Sequence, residues 1–272
     1  MCPKLTDQGA RDYWASLHET VEDDLAAVIF PDRSKLFNRF FDTIQRMAIA
    51  RMLAAAGVSV RGKATLDIGC GRGRWLDFFA ARGASPEGVD LSGRAVELCR
   101  RAGYVAREER AESLSSADGS YDFISVITVL LHMPPRSQAA AAHEITRVCR
   151  AGGLVLLLEP TRRDDAAHVW PRELDEWLRL FPDFELVRVE GHYFAPLLRL
   201  LWASRALAAV PSRWRSWVED LVVVWSWPLE VTLMRLLSGR RSRVALQHVV
   251  LLMKGPQTSD SADPEAAAAV AR

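Results

Sequence analysis

Hydrophobic residues return at helical intervals over the first part of the chain. Between residues 11 and 56, apolar side chains recur every three or four positions, with charged residues such as Arg39 and Asp42 between them. This spacing places the apolar residues on one face of a helix. Pro31 interrupts the pattern, so the region predicts at least two helices.

From residue 64 onward, short apolar stretches alternate with helical ones. The predicted strands cover residues 64–68, 86–91, 104–107, 121–129, 154–159, 184–194 and 245–254. The predicted helices between them cover residues 73–82, 92–102, 137–150 and 172–180. Continuous apolar strands suit a parallel sheet that is covered on both faces, and their alternation with helices indicates βαβ units. The sequence therefore predicts an α/β fold, with a Rossmann-like, doubly wound and mostly parallel sheet of seven strands.

The same patterns suggest how the chain is divided. We expect an N-terminal helical cap over residues 1–63, a core over residues 64–255 and a disordered, polar tail over residues 256–272. Within the core, residues 195–243 form an apolar helical insertion before the last strand. Three prolines are expected to divide this insertion into short helical pieces: Pro196, Pro211 and Pro228.

Charge and composition bear on partners and on location. The formal net charge of the 272 residues is +1, and no tetrad of the Asn/Asp-Pro-Pro-Tyr/Phe type for a flipped base is present. We therefore expect no nucleic-acid partner. The four cysteines lack the close spacing of metal ligands, and no disulfide framework is evident, so we predict no metal site.

No membrane-spanning segment is expected either. The N-terminus lacks an apolar signal core. The longest uncharged apolar stretch near the C-terminus, residues 221–229, is about half of the roughly 20 residues that cross a bilayer. These observations predict a cytoplasmic protein, while a peripheral contact with a membrane stays open as an alternative. The oligomeric state is left open.

The most informative motif is Leu-Asp-Ile-Gly-Cys-Gly-Arg-Gly at residues 66–73, followed by Asp90 at the end of the next predicted strand. Glycines allow unusual backbone angles and a close approach of a ligand to the main chain. The helix that follows points its N-terminal amides at that ligand. A carboxylate at the next strand end can accept hydrogen bonds from both hydroxyls of a ribose. The motif therefore predicts a site for an adenosine-containing ligand.

Two classes of ligand share this geometry. Dinucleotide dehydrogenases use Gly-x-Gly-x-x-Gly, whereas this chain has Gly-x-Gly-x-Gly preceded by Asp67. A carboxylate at that point would repel a diphosphate but would suit the ammonium or sulfonium of S-adenosylmethionine. The chain also has no Tyr-x-x-x-Lys pair, which further weakens the dehydrogenase interpretation.

Residues 64–160 resemble the class I S-adenosylmethionine-dependent methyltransferases of the small-molecule type. The resemblance covers about a third of the chain and is specific for the cofactor rather than for the substrate. The segments that carry it are residues 66–73, 88–92 (Gly-Val-Asp-Leu-Ser), 118–126, 131–135 (Leu-His-Met-Pro-Pro) and 150–160.

The resemblance implies a set of cofactor contacts. Asp67 would lie near the methionine ammonium, Gly69 and Gly71 would contact the cofactor through the main chain, and Asp90 would hold the ribose hydroxyls. The other implied cofactor residues are Leu91, which would pack on the adenine, and Cys70, Gly73, Ala111, Glu112 and Ile127. The family's usual acid for the adenine amino group corresponds to Arg110 here, so either Glu112 or main-chain groups would make that contact.

Methyl transfer from S-adenosylmethionine requires few catalytic groups of the protein. The cofactor is already activated, so catalysis is mainly alignment of the reacting atoms, and a base is needed only if the acceptor must lose a proton. His132 follows the fourth strand and Glu159 ends the fifth, both at the carboxyl edge where such sheets bind substrates. Each is a candidate catalytic residue. The alternatives are a structural histidine beside Pro134 and a carboxylate bonded to main-chain amides.

Four further residues are candidates for contact with the substrate. His192 and Tyr193 lie at the end of the predicted sixth strand. Tyr13 and Trp14, in the first helix, would form a lid over the cofactor or pack in the core.

The composition of the insertion bears on which kind of acceptor the protein could bind. It contains Trp202, Trp214, Trp217, Trp225 and Trp227, and also Arg205, Arg213, Arg215 and Arg235. It is ordinary helix core, an apolar substrate chamber, or a set of interfacial helices whose arginines face lipid headgroups.

Together these inferences predict a methyltransferase that uses S-adenosylmethionine on a hydrophobic small molecule, such as a natural product or a lipid-like acceptor. The alternatives are an enzyme of the same fold that binds the cofactor but does not transfer methyl, a non-enzymatic partner protein, and a peripheral membrane lipid methyltransferase. The acceptor atom is left open.

Overall fold

In the part of the chain that the structure describes, two helices precede the first strand. The computed structural model describes residues 7–161, 169–203, 210–237 and 245–256. Helix α1 covers Asp7–Thr20 and α2 covers Lys35–Ala55. The main-chain N–H of Phe37 donates to the side chain of Ser34, which caps α2. The apolar face that the sequence predicted is buried, with Phe37, Phe40, Phe41 and Ile44 almost inaccessible to solvent.

The remaining helices alternate with strands as far as the insertion. Among the described residues they are α3 (Arg74–Ala80), α4 (Gly93–Arg101), α5 (Pro135–Val148), α6 (Leu174–Leu178), α7 (Pro196–Ala203) and α8 (Ser212–Leu237). Ser92 caps α4 by accepting a hydrogen bond of 3.3 Å from the N–H of Ala95, as its position before the helix suggests.

Seven strands form one sheet. They are β1 (Ala64–Ile68), β2 (Ser85–Asp90), β3 (Val105–Glu108), β4 (Tyr121–Ile127), β5 (Cys149–Pro160), β6 (Phe184–His192) and β7 (Gln247–Lys254). Their order is β3-β2-β1-β4-β5-β7-β6. The pairs among the first five are parallel, and β7 runs antiparallel to both β5 and β6. The predicted doubly wound, mostly parallel α/β fold is confirmed.

Helices cover both faces of the sheet. Along β5, Leu156 and Leu158 pack with α2 and α3, while Val155 and Leu157 pack with α5 and α6 on the other side. This alternation follows from the two-residue period of a strand. Strand order reverses beside β1, so the carboxyl ends of β1, β2 and β4 border a crevice between the connections that leave in opposite directions.

The insertion differs from the prediction at one of its three prolines. Pro196 begins α7 and Pro211 directly precedes α8, whereas Pro228 lies inside α8 and does not end it. A proline leaves the carbonyl four residues earlier without its helical partner. Here that residue is Val224, which is exposed, so water can satisfy the carbonyl and the helix continues. Arg205 lies outside the described residues, as does nearly all of the tail predicted over residues 256–272.

No helix among the described residues combines the length and the apolar character needed to cross a bilayer.

Candidate cofactor site

The glycine-rich turn joins β1 to α3 at the centre of the sheet. Gly69, Gly71 and Gly73 all have positive φ, of 71°, 52° and 86°, which favours glycine. A Cβ at Gly69 would lie 2.4 Å from Cγ2 of Val129, and one at Gly71 would lie 2.8 Å from Cγ1 of Val28. The turn therefore leaves no room for a side chain at either position.

Asp90 is held at the end of β2, facing this turn. Its Oδ2 accepts a hydrogen bond of 2.8 Å from the N–H of Gly71, and its Oδ1 accepts one of 2.8 Å from the N–H of Ser92. Two main-chain donors thus fix both carboxylate oxygens. The arrangement positions the carboxylate before any ligand arrives.

A cavity opens above the turn and is bounded by the loops after β1, β2, β3 and β4 and by α1. It contains about 1100 Å³ of space not filled by protein atoms, including its open mouth. Ten of the candidate site residues predicted from the sequence line it: Trp14, Gly69, Cys70, Gly71, Asp90, Leu91, Ala111, Glu112, Ile127 and His132.

Asp67 and Gly73 lie behind the cavity wall instead. Asp67 is buried, and its Oδ1 accepts a hydrogen bond of 2.6 Å from Ser125, the residue opposite it on β4. Burial raises the pKa of Asp67 to about 7, although this hydrogen bond and the charge of Arg74 act in the opposite direction. A Cβ on Gly73 would point at the sulfur of Cys99, 3.4 Å away.

The loop after β3 presents a charged pair. Nη2 of Arg110 lies 2.7 Å from Oε1 of Glu112, and both residues line the cavity. Glu112, the acid that could replace the family's usual contact to the adenine, is therefore already paired with Arg110, which occupies the position of the family's usual acid.

Helix α1 forms one wall of the cavity through Trp14 and His18. Tyr13 does not line it; its ring packs edge-on against that of Trp14, at 5.2 Å. The helix is tied to the glycine turn by Arg72, whose Nη2 donates to the main-chain oxygens of His18 and Val21, at 2.9 and 2.6 Å.

His132 also lines the cavity, in the short 3-10 helix Leu130–His132 that follows β4. Its ring packs edge-on against Trp14 with 4.8 Å between centroids. The two predicted residues, from α1 and from the loop after β4, thus meet across the cavity.

Glu159 does not reach the cavity. Its Oε1 accepts hydrogen bonds from the N–H groups of Val129 and Leu130, at 3.0 and 2.8 Å, as in the alternative raised from the sequence. Burial raises the pKa of Glu159 to about 8, and the main-chain hydrogen bonds only partly offset this effect. The carboxyl group supports the loop that carries His132.

His192 and Tyr193 are also placed away from the cavity. His192 is buried, and burial lowers its pKa to about 3. Tyr193 packs edge-on against Phe41, with 4.8 Å between ring centroids, inside the core formed with α2. The structure therefore brings neither residue to the predicted substrate region.

The structure adds Arg74 to the cavity wall. Its guanidinium is 3.2 Å from Oδ1 of Asp42, donates to Oε1 of Gln45 at 2.7 Å and lies 4.5 Å from the ring of Trp75. Burial lowers the pKa of Arg74 to about 10. Its position directly after the last glycine could have identified it, because the first residue of such a helix borders the turn.

Two buried polar atoms without a hydrogen-bond partner indicate that the cavity suits a polar ligand. Nδ1 of His18 and Nε1 of Trp75 are buried and have no hydrogen-bond partner among the described residues, and both residues line the cavity. Burial lowers the pKa of His18, against the charge of Asp90. A buried polar group without a hydrogen-bond partner costs free energy. A ligand that supplied the missing partner would therefore bind more tightly. The sequence offered a signal for His18, since it lies one helical turn after Trp14 on the same face.

Among the described residues, no cluster of three or more histidine, cysteine or acidic side chains could hold a metal ion.

The sheet order, the glycine turn and the acid at the end of β2 define the fold and the cofactor site of a class I S-adenosylmethionine-dependent methyltransferase. The profile of a family described as "Methyltransferase domain" matches residues 33–206. The match covers more than half of the chain, which therefore belongs to this family: it is a small-molecule methyltransferase that uses S-adenosylmethionine.

Its similarity to characterised members is moderate in sequence and broad in fold. The ubiquinone biosynthesis O-methyltransferase of Methylococcus capsulatus is 29% identical over 172 residues, which cover 52% of this chain and 71% of the relative. The fatty-acid O-methyltransferase of Mycolicibacterium smegmatis is 32% identical over 145 residues, or 49% of this chain and 52% of the relative.

A solved structure shows the shared fold. The 1,6-didemethyltoxoflavin N1-methyltransferase of Burkholderia thailandensis, with bound S-adenosylhomocysteine, superposes with a TM-score of 0.54 at 16% identity. The superposition covers 94% of this chain and 93% of that one.

Proposed function

We propose that this methyltransferase acts on a hydrophobic small molecule, either a natural product or a lipid-like acceptor. The observation that carries the proposal is the apolar part of the cavity lining. It is formed by Trp14, Ile127, Val129, Met133 and Pro134. Similarity to enzymes named for ubiquinone biosynthesis and for fatty acids supports the same class of acceptor.

The residues at the turn would hold the cofactor. The main chain of Gly69, Cys70 and Gly71 would approach it closely, Asp90 would accept hydrogen bonds from the ribose hydroxyls, and Leu91 would pack on the adenine. The loop residues Ala111 and Glu112 and the strand end Ile127 would border the same ring. When bound, S-adenosylmethionine supplies a methyl group on a positively charged sulfur, which needs no further activation.

We expect Asp67 to act differently from the contact implied by the resemblance. Its carboxyl group lies behind the turn and is bonded to Ser125, so it would support the turn from beneath. Gly73 would act in the same indirect way, since its Cα faces Cys99. Arg74, in the wall itself, would face the carboxylate end of the cofactor.

His132 is our candidate for the general base. It lines the cavity beside Trp14, and an imidazole can accept a proton from a hydroxyl group near neutral pH. Glu159 is a positioning residue, because its carboxyl group holds the loop amides before His132.

The acceptor class can be tested with a labelled cofactor. The purified enzyme is incubated with a cell extract and S-adenosylmethionine that carries a trideuterated methyl group, and products are separated by polarity before mass spectrometry. We expect label in the hydrophobic fraction. Label confined to polar metabolites would contradict the hydrophobic acceptor, and turnover of an acceptor with the labelled cofactor recovered intact would favour a reaction other than methyl transfer.

The role of His132 is tested by comparing two histidine variants. His132→Ala should lower kcat by about 10²-fold or more if it is the base, while the affinity for S-adenosylhomocysteine changes little. His143→Ala, at an exposed position on α5, is the matched control. An unchanged kcat and pH profile for His132→Ala would assign the histidine to packing.

A further inference from the structure

Helix α8 exposes more apolar surface than an ordinary surface helix, although Val223, Trp227 and Met234 pack in the core. A surface helix normally buries its apolar stripe and exposes its polar side. The buried residues of α8 recur every three or four positions: Glu219, Val223, Ser226, Glu230 and Met234. Three of these five are polar. The opposite face consists of large apolar side chains: Trp214, Trp217, Leu221, Val224 and Trp225.

The buried acids fix this orientation. Glu219 is 2.5 Å from Nη1 of Arg33, and Glu230 accepts hydrogen bonds from the N–H groups of Phe194 and Ala195, at 2.5 and 2.7 Å. Rotating the helix to bury Trp214, Trp217 and Trp225 would break these bonds and would withdraw Trp227 from Phe40, against which its ring packs. These polar contacts therefore hold the inward face together with apolar packing, and they leave the other three tryptophans directed outward.

The exposure on the outward face is large. The exposed fractions are 51% for Trp214, 61% for Trp217 and 67% for Trp225. Leu200, on the neighbouring α7, is 68% exposed as well. Contiguous exposed apolar surface of this kind marks an interaction site.

Charge identifies the partner. Across the described residues of α8, none of the three carboxylates is exposed: Glu219 and Glu230 are buried, and Asp220 receives a hydrogen bond from Ser34. Among the side chains of α8 that the structure describes, the exposed charges are those of Arg215, whose Nε donates to the main-chain oxygen of Val210, and Arg235, towards the two ends of the helix. A second copy of this face would bring arginines together without acids to pair them, whereas anionic lipid headgroups would complement them.

We propose that the outward face of α8, together with Arg215 and Arg235, binds the surface of an anionic lipid bilayer. Tryptophan combines an apolar ring with a polar N–H and favours the boundary between lipid and water. Arginine can lay its aliphatic part on the apolar surface and reach the headgroups with its charged end. The helix of 26 residues is about 39 Å long and would lie flat on the membrane. The proposal goes beyond the proposed function and does not depend on it.

Flotation with vesicles tests this proposal. The full chain is mixed with vesicles of phosphatidylcholine alone or with added phosphatidylglycerol, and the bound fraction is measured over a range of salt concentrations. We expect binding to the anionic vesicles that weakens as salt increases. The triple variant Trp214→Gln, Trp217→Gln, Trp225→Gln should lower the partition coefficient on the order of tenfold or more, because less apolar area is buried.

A second variant tests the charges separately. Arg215→Gln with Arg235→Gln should lower binding to anionic vesicles by roughly fivefold for each arginine removed and should flatten the salt dependence. The matched controls are Val105→Gln with Leu186→Gln, at exposed apolar positions of β3 and β6, and Arg101→Gln with Arg179→Gln, at exposed arginines. Both controls should bind as the unmodified chain does.

Folding and self-association are followed in parallel. Each variant should keep its thermal transition and its affinity for S-adenosylhomocysteine, since α8 exposes the altered residues. Equal vesicle binding by the unmodified chain and the tryptophan variant would overturn the proposal. It would also be overturned if the chain ignored vesicles and formed dimers in sedimentation that the tryptophan substitutions dissociate.

Discussion

The guanidinium of Arg72 donates a hydrogen bond of 2.9 Å to the main-chain oxygen of His18 and so joins the glycine-rich turn to the end of α1. The same side chain reaches the main-chain oxygens of Val21 and Glu22 and the carboxylate of Asp24, at 2.6 to 3.3 Å. Because Trp14 and His18 form one wall of the cavity, this contact fixes the wall relative to the turn beneath it.

Removing this connection should weaken cofactor binding without altering the turn itself. Arg72→Met keeps the aliphatic part of the side chain but loses the hydrogen bonds, and bonds from a charged donor contribute about 1.5–3 kcal/mol. We expect a decrease of roughly tenfold in affinity for S-adenosylhomocysteine by calorimetry, with a faster dissociation rate. Arg94→Met, in an exposed pair with Glu97, is the control. Unchanged affinity for Arg72→Met would show that α1 does not depend on this contact.

A pair of glycine substitutions separates close packing from backbone strain. Gly69 and Gly57 have similar φ values, 71° and 65°, but a Cβ at Gly69 would meet Val129 whereas one at Gly57 would meet nothing within 4 Å. Gly57→Ala should cost about 1 kcal/mol of stability. Gly69→Ala should cost more and should also abolish cofactor binding, because the turn must shift away from Val129. Equal losses of stability in the two variants, measured by urea unfolding, would contradict the close approach.

Asp90 should contribute to binding in two ways. Its carboxylate is directed at the site and also holds the N–H groups of Gly71 and Ser92. Asp90→Ala should therefore reduce the affinity for S-adenosylhomocysteine by about 10²-fold or more, since a charged hydrogen-bond acceptor is lost. The comparison is Glu97→Gln, at an acid of the neighbouring helix α4 that pairs with Arg94 and Arg101 away from the cavity. Similar calorimetric titrations for the two variants would remove Asp90 from the site.

Local pattern was enough to predict most of the fold. The first strand begins and ends where the sequence placed it, at Ala64 and Ile68, because its apolar run is bounded by Lys63 and the glycine turn. The helix predicted over residues 92–102 opens at Ser92, whose hydroxyl accepts the N–H of Ala95 and caps α4. Such signals depend only on neighbours along the chain, which is why they can be read without the tertiary structure.

The candidate site was predictable only in part, because its details depend on contacts between distant segments. The acid of Glu159 lies at the expected edge of the sheet, but only the packing of the loop after β4 turns it towards the amides of Val129 and Leu130. The core contacts of Tyr193 depend on where α2 crosses the sheet. The continuation of α8 through Pro228 depends on which side of that helix faces solvent.

The buried acid Glu159 should make stability depend on pH. Its pKa is raised by burial from 4.5 to about 8, so between these values the folded chain keeps a proton that the unfolded chain has lost. The stability associated with the protonated acid is fully present below pH 4.5 and is lost as the pH rises towards 8. The free energy of unfolding should therefore fall with increasing pH over this window, by at most about 1.4 kcal/mol per pH unit.

Substitution of this acid isolates its contribution from that of other groups. Glu159→Gln keeps an oxygen that can accept from Val129 and Leu130 but removes the titration, so its stability should decline less between pH 6 and pH 8.5. Urea unfolding at several pH values measures the difference, and Glu185→Gln, at an exposed position of β6, should follow the unmodified chain. Parallel pH profiles for the unmodified chain and Glu159→Gln would mean that Glu159 is ionised in the folded protein. The loop carrying His132 would then be held by a buried carboxylate anion rather than by a neutral acid.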